Sequence, residues 1–232
     1  RMFNMSLRAF GKLPSSMQND TTRLYYDKLS RKRFQLALKR GIDIALSLIL
    51  ILALSPVMAF CAALVKADGG SILYRQVRIG RYSRPFVIYK FRTMTERAYL
   101  GGELTRGEDP RITKAGRILR RTRLDELPQL FNVLKGEMSL VGPRPEVPRY
   151  AQLYTDRMRA TLLLPVGITC RASLRFKDEA ALLAGEDGEQ VYRQRVLPAK
   201  MEENIRYLQD YSLWEDGKIL LQTARMAIKE VF

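Results

Sequence analysis

Residues 44–65 read IALSLILILALSPVMAFCAALV, 22 positions without a charge. About 20 apolar residues are enough to cross a bilayer as a helix. The run starts too late and is too long for a signal peptide, and a buried helix of a soluble protein rarely runs this far without a polar face. Pro56 falls at the middle. It removes a backbone donor and clashes with the preceding turn, so a bend is expected there, with the Ser55 hydroxyl able to satisfy a freed carbonyl. Both flanks are basic: Arg31, Lys32, Arg33, Lys39 and Arg40 precede the run, and Lys66, Arg75, Arg78, Arg81 and Arg84 follow it. The positive-inside tendency places each flank in the cytoplasm. A simple span satisfies only one of them. A re-entrant segment that breaks at Ser55–Pro56 and returns to the same leaflet satisfies both, each half of about 11 residues reaching roughly 16 Å.

Charge narrows the partners. The chain of 232 residues has 40 Lys plus Arg against 24 Asp plus Glu, a formal +16. Residues 1–40 carry +8 (ten minus two), residues 66–123 carry +10 (fifteen minus five), and residues 124–232 carry −1 (fifteen minus sixteen). Such blocks suit nucleic acid or an anionic membrane surface, or form a generically solvated face. There is no histidine, which excludes Ser-His-Asp and Cys-His catalysis and histidine metal ligands. Cys61 and Cys170 lie too far apart in sequence to suggest a zinc site, and they point to a reducing compartment. An apolar share of 47% with 28% charged residues is that of a folded chain.

The local pattern predicts a weakly ordered or peripheral arm over 1–30, with a Pro14-Ser15-Ser16 turn signal, and a basic helix over 31–40 lying along the headgroups. Residues 71–77 and 86–91 are aromatic and β-branched and read as two strands joined by a turn at Gly80–Pro85. Thr113–Arg123 and Pro128–Leu134 read as helices, the second ended by Gly136. Residues 178–189 are acidic and small, a loop-rich helical excursion. The C-terminal 218–232 stretch is amphipathic and suits either a membrane interface or the protein's own core.

The densest polar constellation is Arg120-Arg121-Thr122-Arg123-Leu124-Asp125-Glu126-Leu127-Pro128. Two adjacent carboxylates before a proline-started helix should stay ionised there. Plain helix capping explains them equally well. Yet arginines just upstream can hold phosphate bidentately, a hard cation such as Mg2+ can bridge carboxylate and phosphate, and Arg144 stands between Pro143 and Pro145 on a stiff backbone. No glycine-rich phosphate loop occurs, so phosphate binding would rest on cations.

Lys90-Phe91-Arg92-Thr93-Met94, Asp109-Pro110-Arg111-Ile112-Thr113, Leu124–Leu130 and Asn132–Pro145, in that order, resemble the bacterial sugar transferases, the monotopic phosphoglycosyl transferases. The Ser55-Pro56 segment is similar to their re-entrant membrane helix. The likeness runs from about Lys39 to the C-terminus. It departs at Leu164-Pro165-Val166-Gly167-Ile168-Thr169-Cys170-Arg171, where the family commonly has Arg-Pro-Gly-Ile-Thr-Gly.

The resemblance implies transfer of a sugar-1-phosphate from a UDP-sugar to polyprenyl phosphate. Asp125 would be the nucleophile and Mg2+ ligand, and Glu126 a base or acceptor-positioning group. Lys90, Arg92, Arg120 and Arg144 would lie on the phosphates. It also implies an inner-membrane protein at the cytoplasmic face, acting in surface polysaccharide assembly. The expected architecture is α+β and mostly helical: an arm over 1–38, the re-entrant helix-break-helix over 39–66, and a catalytic domain over 67–232 with a small β-hairpin near the site and amphipathic interfacial helices. Membrane lipid is the expected partner, nucleic acid is not, and a homodimer is left open. The competing reading is a membrane-anchored basic nucleic-acid-binding protein, whose affinity would fall steeply with salt.

Overall fold

The computed structural model describes residues 7–95, 109–176, 179–183 and 187–231. Residues 1–6 of the 1–38 expectation, residues 178 and 184–186 of the 178–189 expectation, and the side chains of Ile228 and Val231 lie outside the described residues or side chains. The chain is mostly helical, with two small sheets. Helices α1 (Asp20–Ser30) and α2 (Arg33–Ala67) come first, then the antiparallel hairpin β1 (Leu73–Ile79) and β2 (Pro85–Phe91). Helices α3 (Lys114–Arg121) and α4 (Gln129–Lys135) flank a 3-10 turn at Leu124–Glu126. Next come β3 (Ser139–Val141), α5 (Pro148–Ala151), α6 (Asp156–Ala160), β4 (Gly167–Thr169), which pairs parallel with β3, and α7 (Arg171–Arg175). Helices α8 (Glu179–Leu182), α9 (Gly188–Val191), α10 (Leu197–Asp210) and α11 (Leu213–Val231) complete the chain.

The hairpin and the two central helices form where turn and cap chemistry predict them. Thr113 caps α3 by accepting from Gly116 N at 2.9 Å, and Gly136 ends α4 at φ +81°. Two expectations change. The arm is packed: Leu13, Met17, Tyr25, Tyr26 and Leu29 are buried in the main core, α1 laying the last three against α6 and the 3-10 turn Ser15–Met17 touching the same helix. The basic stretch before the apolar run is not a separate helix: residues 33–40 are about the first two turns of α2, and its last two cations are interior. Lys39 Nζ sits 2.7 Å from Asp216 Oδ2, and the Arg40 guanidinium donates to the Val133 and Leu134 carbonyls at 2.6 and 2.9 Å, covering the open C-terminal carbonyls of α4. Asp43 accepts from Ser139 Oγ at 2.8 Å and from Leu140 N at 3.1 Å.

Helix α2 is long and apolar enough to cross a membrane, with a mean hydropathy of 2.7 in its most apolar window. It runs on through Pro56 as one hydrogen-bonded helix rather than separating into two. The carbonyl that Pro56 leaves without an amide donor is that of Leu52, four residues earlier, and Ser55 Oγ donates to it at 2.9 Å. Leu36, Lys39, Arg40, Asp43 and Ser47 form one buried stripe against α4, β3 and α11. At the other end Cys61 and Val65 pack on Phe91 and Leu119. Between them Leu48, Ile49, Leu50, Leu52, Val57 and Phe60 are exposed.

Candidate active site

Three elements converge on the carboxylate pair. β2 supplies Lys90, α3 supplies Arg120, and the segment after β3 supplies Arg144. Asn132, fully buried in α4, fixes the first of these: its side chain accepts from Tyr89 N at 3.1 Å and donates to Val87 O at 2.7 Å, so β2 is pinned to α4. Arg144 is fixed by a backbone crossing. A Cβ on Gly142 would lie 2.1 Å from Pro165 O, and one on Gly167 would lie 2.1 Å from Gly142 N, so only glycine lets β3 and β4 close on Pro143–Pro145.

Asp125 and Glu126 sit on the 3-10 turn and are both buried. The chain enters this turn through Arg123 at φ +59°, a left-handed conformation costing a non-glycine residue about 1–2 kcal/mol. Neither carboxylate caps α4, whose N-cap is Pro128 without a side-chain hydrogen bond.

The two acids differ sharply. Glu126 Oε1 accepts from Lys90 Nζ at 2.6 Å and from Arg144 Nη2 at 2.7 Å. Burial would raise its pKa, but Arg144 and Lys90 win and hold the carboxyl far below the usual carboxylate range. Glu126 in turn pushes the Arg144 guanidinium up. Asp125 makes no hydrogen bond and no ion pair among the described residues. Burial pushes its carboxyl above the usual range. Lys90 opposes this, the neighbouring Glu126 charge adds to it, and Arg120 and Arg123 also oppose it. The site thus holds one saturated carboxylate beside one uncommitted carboxylate in a cationic enclosure.

Of the residues singled out in the sequence, Lys90, Glu126 and Arg144 meet directly. Arg120 is electrostatically coupled to Asp125, and its Nε donates to Thr93 Oγ1 at 2.9 Å. Arg92 stands apart: its guanidinium donates to the carbonyls of Val65 (3.2 Å) and Gly69, closing the C-terminal end of α2. Ser55 and Pro56 are not in the site, but Leu50 and Leu54, just before them, line a cavity of about 230 Å³ that also touches Glu126 and Arg144. In the sequence Arg123 stands only as one of the arginines upstream of the acid pair, and Asn132 only as part of the Asn132–Pro145 block. Nothing in composition marks a left-handed arginine or a strand-pinning asparagine.

Among the described residues no group of three acidic, histidine or cysteine side chains comes together. One unpaired carboxylate, Asp125, is present. Mg2+ usually takes one or two carboxylates with substrate phosphates and water supplying the rest, so the residues fit a substrate-completed site rather than a closed cage.

The family description "Bacterial sugar transferase" matches residues 34–230. The chain is 36% identical over 192 residues to the sugar transferase EpsL of Bacillus subtilis, covering 82% of this chain and 87% of that one. It is 35% identical over 214 residues to the undecaprenyl-phosphate galactose phosphotransferase of Salmonella typhimurium, with 85% of this chain and 42% of that protein covered. With the UDP-glucose:undecaprenyl-phosphate glucose-1-phosphate transferase of Caulobacter vibrioides it shares 38% identity over 191 residues, 80% of this chain and 67% of that protein. The match covers nearly all of the chain, including the carboxylate turn and the Arg144 segment, and the chain belongs to the bacterial sugar transferase family.

Proposed function

We propose that this protein is a phosphoglycosyl transferase, moving a sugar-1-phosphate from a UDP-sugar to a polyprenyl phosphate. The observation that carries the reading is the asymmetry of the acid pair. Asp125 is buried, uncommitted and ringed by cations. A carboxylate attacks a diphosphate poorly unless the phosphate charge is neutralised, and Lys90 and Arg120 are placed to supply that neutralisation. An Asp125 carboxylate oxygen attacks the β-phosphorus, and the bond from that phosphorus to the α–β bridging oxygen breaks. UMP departs with the electron pair. An oxygen of the polyprenyl phosphate then attacks the same phosphorus, the aspartyl O–P bond breaks, and the Asp125 carboxylate is restored. Bound Mg2+, held by Asp125 and the diphosphate, would act as a Lewis acid on the phosphoryl oxygens. Glu126, tied to two cations and strongly acidic, suits holding Lys90 and Arg144 in place for the acceptor rather than taking up a proton.

The re-entrant topology belongs to this proposal. Both ends of α2 pack on one body, Leu36 to Ser47 against α4 and α11 and Cys61 to Val65 against Phe91 and Leu119, while the residues between face outward. That arrangement supports a segment entering and leaving the same leaflet, with the site at the cytoplasmic face of a bacterial inner membrane. With Cys61 replaced by Ser, cysteines placed at 44 and 66 should both react with an impermeant maleimide added from the cytoplasmic side. Reaction from opposite sides would rule the topology out. Pairing of Lys39, Arg40, Lys90, Arg92 and Arg144 with carboxylates or carbonyls within the protein weighs against a nucleic-acid surface built on those residues. The direct test supplies radiolabelled UDP-sugars, Mg2+ and undecaprenyl phosphate in detergent. Labelled lipid and released UMP are expected, and their absence across a panel of UDP-sugars would reject the reading.

Acidity adds a second test. Asp125 must be ionised to attack, and its pKa is raised, so adduct formation should fall as pH drops through that raised value. Glu126→Gln removes the adjacent negative charge and releases Lys90 towards Asp125. Both changes lower the Asp125 pKa, so the acid limb of single-turnover adduct formation should move to lower pH. Movement to higher pH would contradict the electrostatic account.

A further inference from the structure

The cavity beside Glu126 and Arg144 is a mixed site. Its walls come from Leu50 and Leu54 of α2, from Leu127, Leu130, Leu140 and Ile168, and from Leu220 and Met226 of α11, and it reaches the carboxylate turn at Arg123. Arg123 is half-buried and held at φ +59°, and its guanidinium makes no hydrogen bond or ion pair among the described residues, its charge acting on Asp125 without direct contact. A strained arginine whose guanidinium is unbonded among the described residues, lining an apolar cavity two positions from Asp125, is a cation available to an anion.

The chemistry of the lining decides which anion. A nucleoside and a sugar need several hydrogen-bonding groups, and the wall offers few away from the rim: Thr169 and Thr223 are bonded to each other at 2.7 Å. At about 230 Å³ the space is also smaller than the 300–1,000 Å³ typical of sites for drug-sized ligands. Asp125 does not line the cavity, whereas Glu126 does. Of the acid pair, then, Glu126 is on the cavity wall, while Asp125 is under the influence of Lys90, Arg120 and Arg123.

We infer that Arg123 and this apolar cavity form the acceptor subsite, Arg123 binding the phosphate of an isoprenyl phosphate and the cavity holding its first isoprene units. The inference rests on the transferase reading above and deepens it. Its occupant is argued from continuity: the same cavity is lined by the Glu126–Arg144 pair and by Leu50 and Leu54, next to the exposed apolar middle of α2, where a lipid chain would arrive. The donor then approaches from the Asp125–Arg120 side, and acceptor and donor do not compete for the same walls.

The test uses the full-length protein in detergent. Arg123→Gln should raise the KM for undecaprenyl phosphate roughly tenfold to hundredfold, the range expected for a lost charge-assisted hydrogen bond, with the KM for the UDP-sugar within about twofold. Arg123→Lys should recover most of the acceptor affinity. A merely structural role for Arg123 would move both KM values or neither, and would overturn the inference. In the wild-type protein a diazirine-bearing farnesyl phosphate should label peptides containing Leu220–Met226 or Leu50–Leu54. Labelling confined to other segments would overturn it even if Arg123→Gln fails to fold. Equal suppression of labelling by phosphatidic acid vesicles would show a general anionic-lipid site instead and would also overturn it. Adduct formation from the donor alone reads the parent proposal: its absence in wild type sinks that proposal, whereas adduct formation with an unchanged acceptor KM in Arg123→Gln sinks only this one.

Discussion

Asp125→Asn should abolish turnover while leaving the protein at least as stable as the wild type. The amide has nearly the same shape but carries no negative charge and forms no aspartyl phosphate. Removal of a covalent nucleophile costs about four to six orders of magnitude in kcat, and no adduct should be trapped. The stability half follows from the direction of the pKa shift. The folded protein disfavours the ionised Asp125 carboxyl, mainly through burial and partly through Glu126. At neutral pH that group is ionised more readily in the unfolded chain, so its charge works against folding, and this penalty grows as pH rises through the raised pKa. A neutral amide removes the penalty. A thermal melt at neutral pH should therefore show the variant unchanged or raised. If the pair were only a helix cap, Asn would cap as well as Asp and activity would survive. Retained activity with an unchanged melting temperature would fit the capping reading and end the nucleophile assignment.

Local rules carried much of the fold. The β1–β2 hairpin, the Thr113 cap, the Gly136 stop and the amphipathic α11 all follow from spacings of a few residues, and all are present. What was not legible depends on distant partners. Lys39 and Arg40 look like headgroup-facing cations until Asp216 and the α4 carbonyls, about 90 to 180 positions away, are placed beside them. The arm over residues 7–30 looks polar because its apolar residues are spread along a helical face whose partner, α6, lies far downstream. In the site, adjacency alone made Asp125 and Glu126 look equivalent. Their difference is imposed by Lys90 and Arg144, which arrive on separate elements and both choose Glu126. Arg92 shows the reverse error of proximity: two positions from Lys90 in sequence, it points instead at the end of α2.

Gly116→Ala should be the most damaging small change outside the acid pair, and its sign is not that of helix propensity. Glycine inside a helix costs about 1 kcal/mol relative to alanine, so an exposed site would gain stability. Gly116 is not free: a Cβ there would lie 2.1 Å from Thr93 O and 2.7 Å from Thr93 C and Cα. The clash is with backbone, which cannot rotate aside, and relieving it needs a displacement of about 1 Å, with overpacking of this kind costing roughly 1–3 kcal/mol. The contact is also tied to chemistry. Thr93 O accepts from Thr113 N at 3.0 Å, and Thr93 Oγ1 accepts from Arg120 Nε at 2.9 Å, so the same residue seats the start of α3 and orients its arginine. Moving α3 off Thr93 carries Arg120 away from Asp125. A displacement near 1 Å at a positioned group can cost about 10²-fold in rate, so kcat should fall by that order, in the adduct-forming half-reaction above all. The melting temperature should fall as well. An alanine variant with wild-type kcat and a raised melting temperature would mean that α3 does not need this contact, and Thr93 would no longer account for the placement of Arg120.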